Sequence, residues 1–117
     1  MKNKTFLQSV ACAFRGFFYA LKTEKNFKYY TLIALIFLAA NLILGIEPNG
    51  YLLTFVAFMG AFASECLNPA IEHICDKMQS EYDPAVRIIK DVAAASILCW
   101  GIAYFVSEAV LLIRAAL

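Results

Sequence analysis

Long apolar segments with few charges dominate the pattern of the chain. Residues 29–46 and 48–64 carry no charged side chain, and residues 92–113 contain only one, Glu108. A helix needs about 20 residues to cross a hydrocarbon core of roughly 30 Å. The pattern therefore predicts three transmembrane helices, over residues 29–46, 51–79 and 84–115.

A different pattern precedes these spans. Gln8, Arg15 and Lys22 recur every seven residues, while another face of residues 5–22 is apolar, with Phe6, Val10, Phe14, Phe17 and Leu21. This distribution predicts an amphipathic helix that lies in the membrane interface. The polar stretch from Thr23 to Lys28 is expected to be a hinge, so that residues 1–28 form the interfacial helix and the hinge.

Short links separate the predicted spans. Residues 46–50, which include Pro48 and Gly50, are long enough only for a turn between antiparallel helices. In the second link, Asp83 is expected to cap the last span, with Pro84 at its first helical position. That span would be about 48 Å long at 1.5 Å per residue, so its first two turns are expected to stand in the interface.

Composition supports a membrane protein. The 117 residues are 62% hydrophobic and their mean hydropathy is +0.70, values that exclude a soluble domain of this size. The length allows one domain, residues 1–117, and a net charge of +1 does not indicate a nucleic-acid partner. We therefore predict an all-α integral membrane fold, an N-terminal amphipathic helix followed by three transmembrane helices.

Lysine and arginine set the predicted orientation, because they are enriched in cytoplasmic loops. The turn at residues 46–50 contains neither, so the N-terminus and the second link are expected in the cytoplasm and the C-terminus outside. The cations that support this are Lys2, Lys4, Arg15, Lys22, Lys25 and Lys28 before the first span, and Lys77, Arg87 and Lys90 in the second link.

One polar stripe stands out within the apolar pattern. Glu65, Asn68, Glu72 and Asp76 are spaced so that they share one face of a helix. The residues from Tyr51 to Ser64 before the stripe carry no charge. Acidic residues inside a membrane helix are costly and usually functional, so the stripe is the candidate site.

The acidic residues of the predicted cytoplasmic surface suit magnesium and a polyphosphate. Mg²⁺ takes oxygen ligands, and a lysine such as Lys90 neutralises phosphate charge. His73, the only histidine, and four cysteines without CxxC spacing do not indicate a metal site. The residues alone leave two other hypotheses open. One is a small oligomeric transporter that uses Glu65, and the other is a structural membrane subunit.

The stripe also carries a family resemblance. The segment Glu65-Cys-Leu-Asn-Pro-Ala-Ile-Glu-His-Ile-Cys-Asp76, followed by Ser80-Glu-Tyr82 and Lys90-Asp-Val-Ala-Ala-Ala-Ser96, resembles the prokaryotic diacylglycerol kinase family. Upstream, Ala13-Phe-Arg-Gly16 and Thr23-Glu-Lys-Asn-Phe27 are similar to its N-terminal signature, and the latter is closer to the undecaprenol kinase branch. Pro69 departs from the family, which has Ser or Thr there, and a proline inside a helix can bend it.

The resemblance implies an ATP-dependent lipid kinase of the bacterial inner membrane, with its active site at the cytoplasmic face. It would transfer the γ-phosphoryl group of MgATP to a lipid hydroxyl. The expected lipid is undecaprenol, and the alternative is diacylglycerol, which would give phosphatidic acid. The resemblance also implies a homotrimer whose active sites are shared between neighbouring chains.

Roles follow from motif position within that resemblance. Glu65 is expected to be the general base, or at least to orient the lipid hydroxyl, with Asn68 supporting it in the same catalytic site. Glu24 and Glu72 are expected to bind the Mg²⁺ that accompanies ATP, and Arg15 to contact the lipid. Nucleotide contacts are expected from Glu81, Tyr82, Asp83, Lys90 and Asp91.

Glu108 is the one charge in the last span. It lies 17 residues beyond Asp91, roughly 25 Å along a helix. We expect it to reach the outer headgroups, near Arg114, rather than to serve catalysis. The alternative is a polar contact within a lipid groove or between subunits.

Overall fold

The computed structural model describes residues 5–78 and 81–117 and contains only helices in that part of the chain. Three of the four are long and apolar enough to cross a membrane, so the all-α membrane fold is confirmed. The predicted homotrimer stays a prediction. Lys2, Lys4, Gln79 and Ser80, used above, lie outside the described residues. The helices are α1 (Phe6–Thr23), α2 (Lys25–Leu44), α3 (Pro48–Met78) and α4 (Pro84–Ala116).

Helix α1 begins at a capping box. The backbone N–H of Gln8 donates to Oγ1 of Thr5 at 3.2 Å, and the backbone N–H of Thr5 donates to Oε1 of Gln8 at 3.0 Å. Phe17 packs edge-on against Phe27 of α2. Apolar side chains such as Phe6 and Phe14 remain exposed, as expected of an amphipathic helix whose outer face meets lipid.

The junction of α1 and α2 is tighter than the expected hinge. Only Glu24 is extended, and it is at once the C-cap of α1 and the N-cap of α2. Residues 25–28 are helical because the stretch has no glycine or proline to break a helix, and because Phe27 is buried in an aromatic cluster. Its ring lies 6.5 Å from that of Phe17 and 5.0 Å from that of Phe62.

The link between α2 and α3 is also short. Gly45 adopts the left-handed conformation (φ 71°) that ends α2, a conformation that glycine adopts without strain. The backbone N–H groups of Gly45 and Ile46 both donate to the carbonyl of Asn41. Helix α3 then begins at Pro48, so three residues reverse the chain.

Helix α4 begins as the sequence predicts. The backbone N–H of Ala85 donates to Oδ1 of Asp83 at 2.8 Å, and Pro84 occupies the first helical position. At the other end of α4, Nη2 of Arg114 lies 3.2 Å from Oε1 of Glu47. This ion pair connects the end of α4 to the link before α3.

Helices α3 and α4 form the closest-packed pair in the described chain, and glycine permits the approach. A Cβ atom added at Gly60 would lie 2.3 Å from a ring carbon of Trp100, and one at Gly50 would lie 2.8 Å from a methyl group of Leu111. Real Cβ atoms do not approach other atoms so closely, so the indole packs directly on the α3 backbone.

Gly60→Ala should therefore destabilise the protein. Overpacking typically costs about 1–3 kcal/mol, which outweighs the gain of up to about 1 kcal/mol from replacing a helical glycine by alanine. Gly101→Ala is the control, because nothing lies within 4 Å of a Cβ at that position, and it should not lower stability. Thermal unfolding of the purified protein in detergent would measure both. Equal stability of the two variants would contradict the close packing at Trp100.

Candidate active site

The polar stripe of α3 runs from the protein interior to its surface. Glu65 is 1% exposed, Asn68 and Glu72 are half-buried, and Asp76 is exposed. Eleven residues of helix separate the two ends, about 16 Å at 1.5 Å per residue. A ligand bound along the stripe would touch bulk solvent at one end and the apolar interior at the other.

Glu65 is the least satisfied group of the stripe. Its Oε1 is buried and has no hydrogen-bond partner among the described residues. Pro69, four residues later, lacks the N–H that would bond to the Glu65 carbonyl, although α3 continues through it as a helix. A buried polar atom without a partner costs about 1–3 kcal/mol. Where such an atom persists, a functional ligand is a common reason.

Two further carboxylates act on Glu65. The negative charges of Glu24 and Glu72 both interact electrostatically with it within one chain. Glu72 comes from the next turns of α3. Glu24 comes from the α1–α2 junction, where the buried ring of Phe27 fixes the start of α2. We call Glu24, Glu65 and Glu72 the carboxylate cluster. Its like charges repel, so a cation would stabilise it.

Asn68 holds one member of the cluster in place. Its Nδ2 donates to Oε1 of Glu72 at 3.2 Å. Its Oδ1 is buried, and within the described part of the chain it has no partner. The amide therefore presents a free oxygen on the same face as the carboxylates.

This donor set fits magnesium that arrives with phosphates. Mg²⁺ prefers oxygen ligands and is usually held by one or two carboxylates, substrate phosphates and waters. Glu24, Glu72 and the free oxygen of Asn68 are such ligands. Among residues 5–78 and 81–117, no group of three His, Cys, Asp or Glu side chains is arranged to hold a metal ion by itself. A metal ion at these residues would therefore need further ligands, of the kind that substrate phosphates and waters supply.

A lysine lies at the solvent end of the stripe. Nζ of Lys90 on α4 is 2.7 Å from Oδ1 of Asp76, and the charge of Glu72 also acts on it. Asp91 is engaged on its own helix, since its Oδ2 lies 3.7 Å from Nε of Arg87. Of the expected nucleotide contacts, Lys90 is therefore the one that the structure brings to the stripe.

The other expected site residues lie apart from the carboxylate cluster. Asp83 caps α4, and Glu81 and Tyr82 are exposed in the link before it. Arg15 on α1 is exposed, and its Nη2 donates to Sγ of Cys12 at 2.9 Å. In the described chain, none of these four makes a hydrogen bond or ion pair with the cluster. Their roles toward nucleotide and lipid stay predictions.

The expectation that Glu108 reaches the outer headgroups near Arg114 is wrong, and the alternative, a polar contact within a groove, is the one that the structure shows. The side chain is 1% exposed, and Nδ2 of Asn41 donates to its Oε1 at 3.2 Å. Arg114 pairs with Glu47 instead. The sequence held a signal for this contact, because Asn41 is the only amide in the charge-free segment 29–46, and a buried carboxylate needs such a partner.

Tyr30 is a residue near Glu65 that the sequence did not predict to belong to the site. It lies near enough to Glu65 for the two side chains to interact electrostatically. It follows Tyr29, and the sequence predicts that both tyrosines belong to an aromatic belt at the membrane interface. Only the fold, which turns Tyr30 inward beside α3 and leaves Tyr29 exposed, distinguishes them.

A groove connects the region of Glu65 with the Asn41–Glu108 pair. Its volume is about 710 Å³, and its walls come mainly from α2 and α3. It passes Phe62, one turn before Glu65. Its lining is largely apolar and comprises Thr31, Ala34, Leu35, Leu38, Asn41, Tyr51, Leu52, Thr54, Phe55, Phe58, Phe62, Tyr104 and Glu108.

Comparison with known proteins matches most of this chain. Residues 11–112, which contain the carboxylate cluster, Asn68 and Lys90, match the prokaryotic diacylglycerol kinase family. The chain is also 28% identical over 97 residues to the undecaprenol kinase of Bacillus subtilis (strain 168). That alignment covers 83% of this chain and 79% of the relative.

Glu24→Gln should stabilise the protein in the absence of ligands. The substitution removes one of three like charges, a gain of about 1 kcal/mol, and no side-chain cap bond is lost because Glu24 makes none. Its charge lies at the C-terminus of α1 and the N-terminus of α2, so the two helix-dipole contributions oppose each other. Thermal unfolding in a metal-free buffer would measure the change.

Glu81→Gln is the control for that measurement, because it removes the same charge from an exposed position in the link. It should leave the unfolding temperature unchanged. A lower stability of Glu24→Gln than of the wild type would contradict the repulsion within the carboxylate cluster.

Proposed function

The chain belongs to the prokaryotic diacylglycerol kinase family and is thus a lipid kinase, a phosphotransferase with an alcohol acceptor; from this premise we propose that it transfers the γ-phosphoryl group of MgATP to undecaprenol. The reaction takes place at the cytoplasmic face of the membrane, where the positive-inside rule puts the N-terminus and the second link.

The observation that carries the proposal is the buried carboxylate of Glu65 within electrostatic range of two others. An unpaired oxygen at the inner end of a polar stripe is suited to accept the proton of a hydroxyl that arrives from the apolar side. In the proposed reaction, the lipid oxygen attacks the γ-phosphorus, the bond to the β-phosphate bridging oxygen breaks, and Oε1 of Glu65 takes the hydroxyl proton. The products are a lipid phosphate and ADP.

Glu24 and Glu72 would hold the magnesium ion that accompanies ATP. When bound, the ion neutralises phosphate charge. Charge neutralisation and positioning of the reactants supply most of the catalysis of phosphoryl transfer. Asn68 orients Glu72 through its amide. Lys90 supplies positive charge at the solvent end, and Glu81, Tyr82, Asp83 and Asp91 contribute to the nucleotide site. Arg15 contacts the lipid.

The choice of undecaprenol is supported by the name of the Bacillus subtilis relative and by the long apolar groove that begins one turn from Glu65. The family description favours a second candidate, diacylglycerol. A small transporter built on Glu65 is disfavoured, because it would need neither Glu24, Glu72 nor Lys90. We also propose that the chain acts as a homotrimer in the inner membrane.

Transfer of labelled phosphate tests the proposal directly. Purified protein in lipid nanodiscs would be supplied with γ-labelled ATP, Mg²⁺, and either undecaprenol or diacylglycerol. We expect labelled undecaprenyl phosphate in excess of labelled phosphatidic acid. The reverse preference would establish the second candidate. No transfer to any lipid alcohol by folded, assembled protein would refute both.

Glu65→Gln should reduce kcat by about 10²–10⁴-fold, the usual contribution of a general base. KM for ATP should change little, because the amide keeps the size of the side chain and its hydrogen bonding. Glu47→Gln is the control and should keep the wild-type kcat, because Glu47 lies in the link before α3, at the other end of that helix from the stripe. Near-normal turnover of Glu65→Gln would remove Glu65 from the chemistry.

If Glu24 and Glu72 hold the same ion, either change to Gln should raise the Mg²⁺ concentration needed for half-maximal activity. The double change should then cost much less than the product of the single effects, because residues that share a partner are not additive. Magnesium titrations of the four proteins would show this. Multiplicative effects with an unchanged magnesium requirement would assign the two carboxylates to separate roles.

A further inference from the structure

The Asn41–Glu108 pair is polar, buried and only half satisfied. Asn41 is 2% exposed and Glu108 1%, and one hydrogen bond of 3.2 Å joins them. The side chain of Tyr104 on α4 also interacts with the Glu108 carboxylate. Oδ1 of Asn41 and Oε2 of Glu108 are buried too, and neither has a partner in the described chain. Leaving two such oxygens unpaired is costly, and the reaction proposed above does not use them.

Both residues line the apolar groove, at the end remote from Glu65. The hydroxyl of Tyr51 donates to the backbone carbonyl of Asn41 at 3.3 Å, which places the pair level with the start of α3. Fourteen residues of helix separate Tyr51 from Glu65, roughly 21 Å at 1.5 Å per residue. A group bound at the pair therefore lies too far away to receive a phosphoryl group at Glu65.

We propose that the outer end of the groove is a second binding site for the lipid alcohol, in which the hydroxyl bonds to Asn41 and Glu108 and the hydrocarbon chain lies along the groove. The proposal rests on the proposed function for the class of lipid. It adds a holding site, distinct from the phosphotransfer site and close to the opposite membrane surface.

The chemistry of the two oxygens selects a hydroxyl group. Oδ1 of Asn41 accepts hydrogen bonds only, so the ligand must donate. When Glu108 is protonated, its Oε2–H donates to the ligand hydroxyl, which in turn donates to Oδ1 of Asn41. When Glu108 is ionised, the single hydroxyl proton serves one of the two oxygens. An ammonium group would have to give up its hydration in a groove with largely apolar walls, and a phosphate would bring further negative charge to a carboxylate. A lipid alcohol fits the polar end and the apolar walls together.

Water or a second copy of the chain in the groove would give different photolabelling results. Water would satisfy the two oxygens but would not fill a groove lined by Leu35, Leu38, Phe55 and Phe58, since apolar cavities stay dry. A helix of a second copy of this chain would cover the groove and exclude lipid from it. Photolabelling distinguishes the three occupants.

The test uses the full chain in lipid nanodiscs without ATP, and a long-chain isoprenoid alcohol that carries a diazirine beside its hydroxyl. After irradiation, we expect labelled peptides from the end of α2 near Asn41 and from α4 near Tyr104, as well as peptides near Glu65. The unlabelled alcohol should compete for the outer position, and its methyl ether, which cannot donate, should compete about tenfold less well.

The double variant Asn41→Leu/Glu108→Leu should lose labelling at the outer position about tenfold and keep labelling near Glu65. Replacing both polar partners by apolar groups of similar size is usually tolerated, so the variant is expected to fold. Ser107→Ala is the control. It removes a hydroxyl from the neighbouring residue of α4, which bonds to the carbonyl of Ala103 and does not line the groove, so labelling should not change.

Three results would overturn the proposal. They are labelling confined to the region of Glu65, outer labelling that persists in the double variant, and equal competition by the methyl ether. Should the double variant not fold, the methyl ether comparison on the wild type decides. Phosphorylation of the parent alcohol, assayed in the same preparation with labelled ATP, reports on the proposed function separately, so either conclusion can fail while the other stands.

Discussion

Repulsion among three carboxylates is the constraint on which the rest of this small protein depends. Glu65 is buried in an apolar helix, and Glu24 and Glu72 add their charges to its surroundings. Nothing in the local sequence favours that arrangement energetically. Packing elsewhere must hold it, and the structure shows two such devices. Phe27, between Phe17 and Phe62, fixes the segment that carries Glu24, and the Gly60–Trp100 contact holds α3 against α4.

Unpaired buried oxygens also occur in two separate places, near the two ends of the groove. At one end, unpaired oxygens of Glu65 and Asn68 belong to the stripe that leads outward to Asp76, Lys90 and the solvent-exposed surface. At the other end, unpaired oxygens of Asn41 and Glu108 adjoin mostly aromatic and aliphatic side chains, together with the hydroxyl groups of Tyr51, Thr54 and Tyr104. In an apolar medium, each unpaired group marks a place where a ligand contributes more than it would in water.

Patterns within single segments were enough to predict much of this structure. Charge-free runs gave the spans, the spacing of Glu65, Asn68 and Glu72 gave their common face, and Asp83-Pro84 gave a helix start that the structure confirms. The predictions that failed concern residues whose positions depend on contacts between distant segments. The expected hinge disappeared because Phe27 is buried against α1 and α3. Glu108 was expected to reach the outer headgroups because its partner, Asn41, is 67 residues away in the chain. Tyr30 differs from Tyr29 only in its surroundings, because Tyr30 is half-buried near Glu65 and Tyr29 is exposed.

Ligand-induced stabilisation tests most directly whether the carboxylate cluster is built to hold a magnesium nucleotide. Thermal unfolding of the purified protein would be compared with and without Mg²⁺ and a non-hydrolysable ATP analogue, for the wild type and for Glu24→Gln/Glu72→Gln. A ligand at 100 times its Kd stabilises by about 2.7 kcal/mol. The account predicts a clear rise of the unfolding temperature in the wild type, which requires both Mg²⁺ and the analogue and is largely lost in the double variant. An equal rise in both proteins would contradict it.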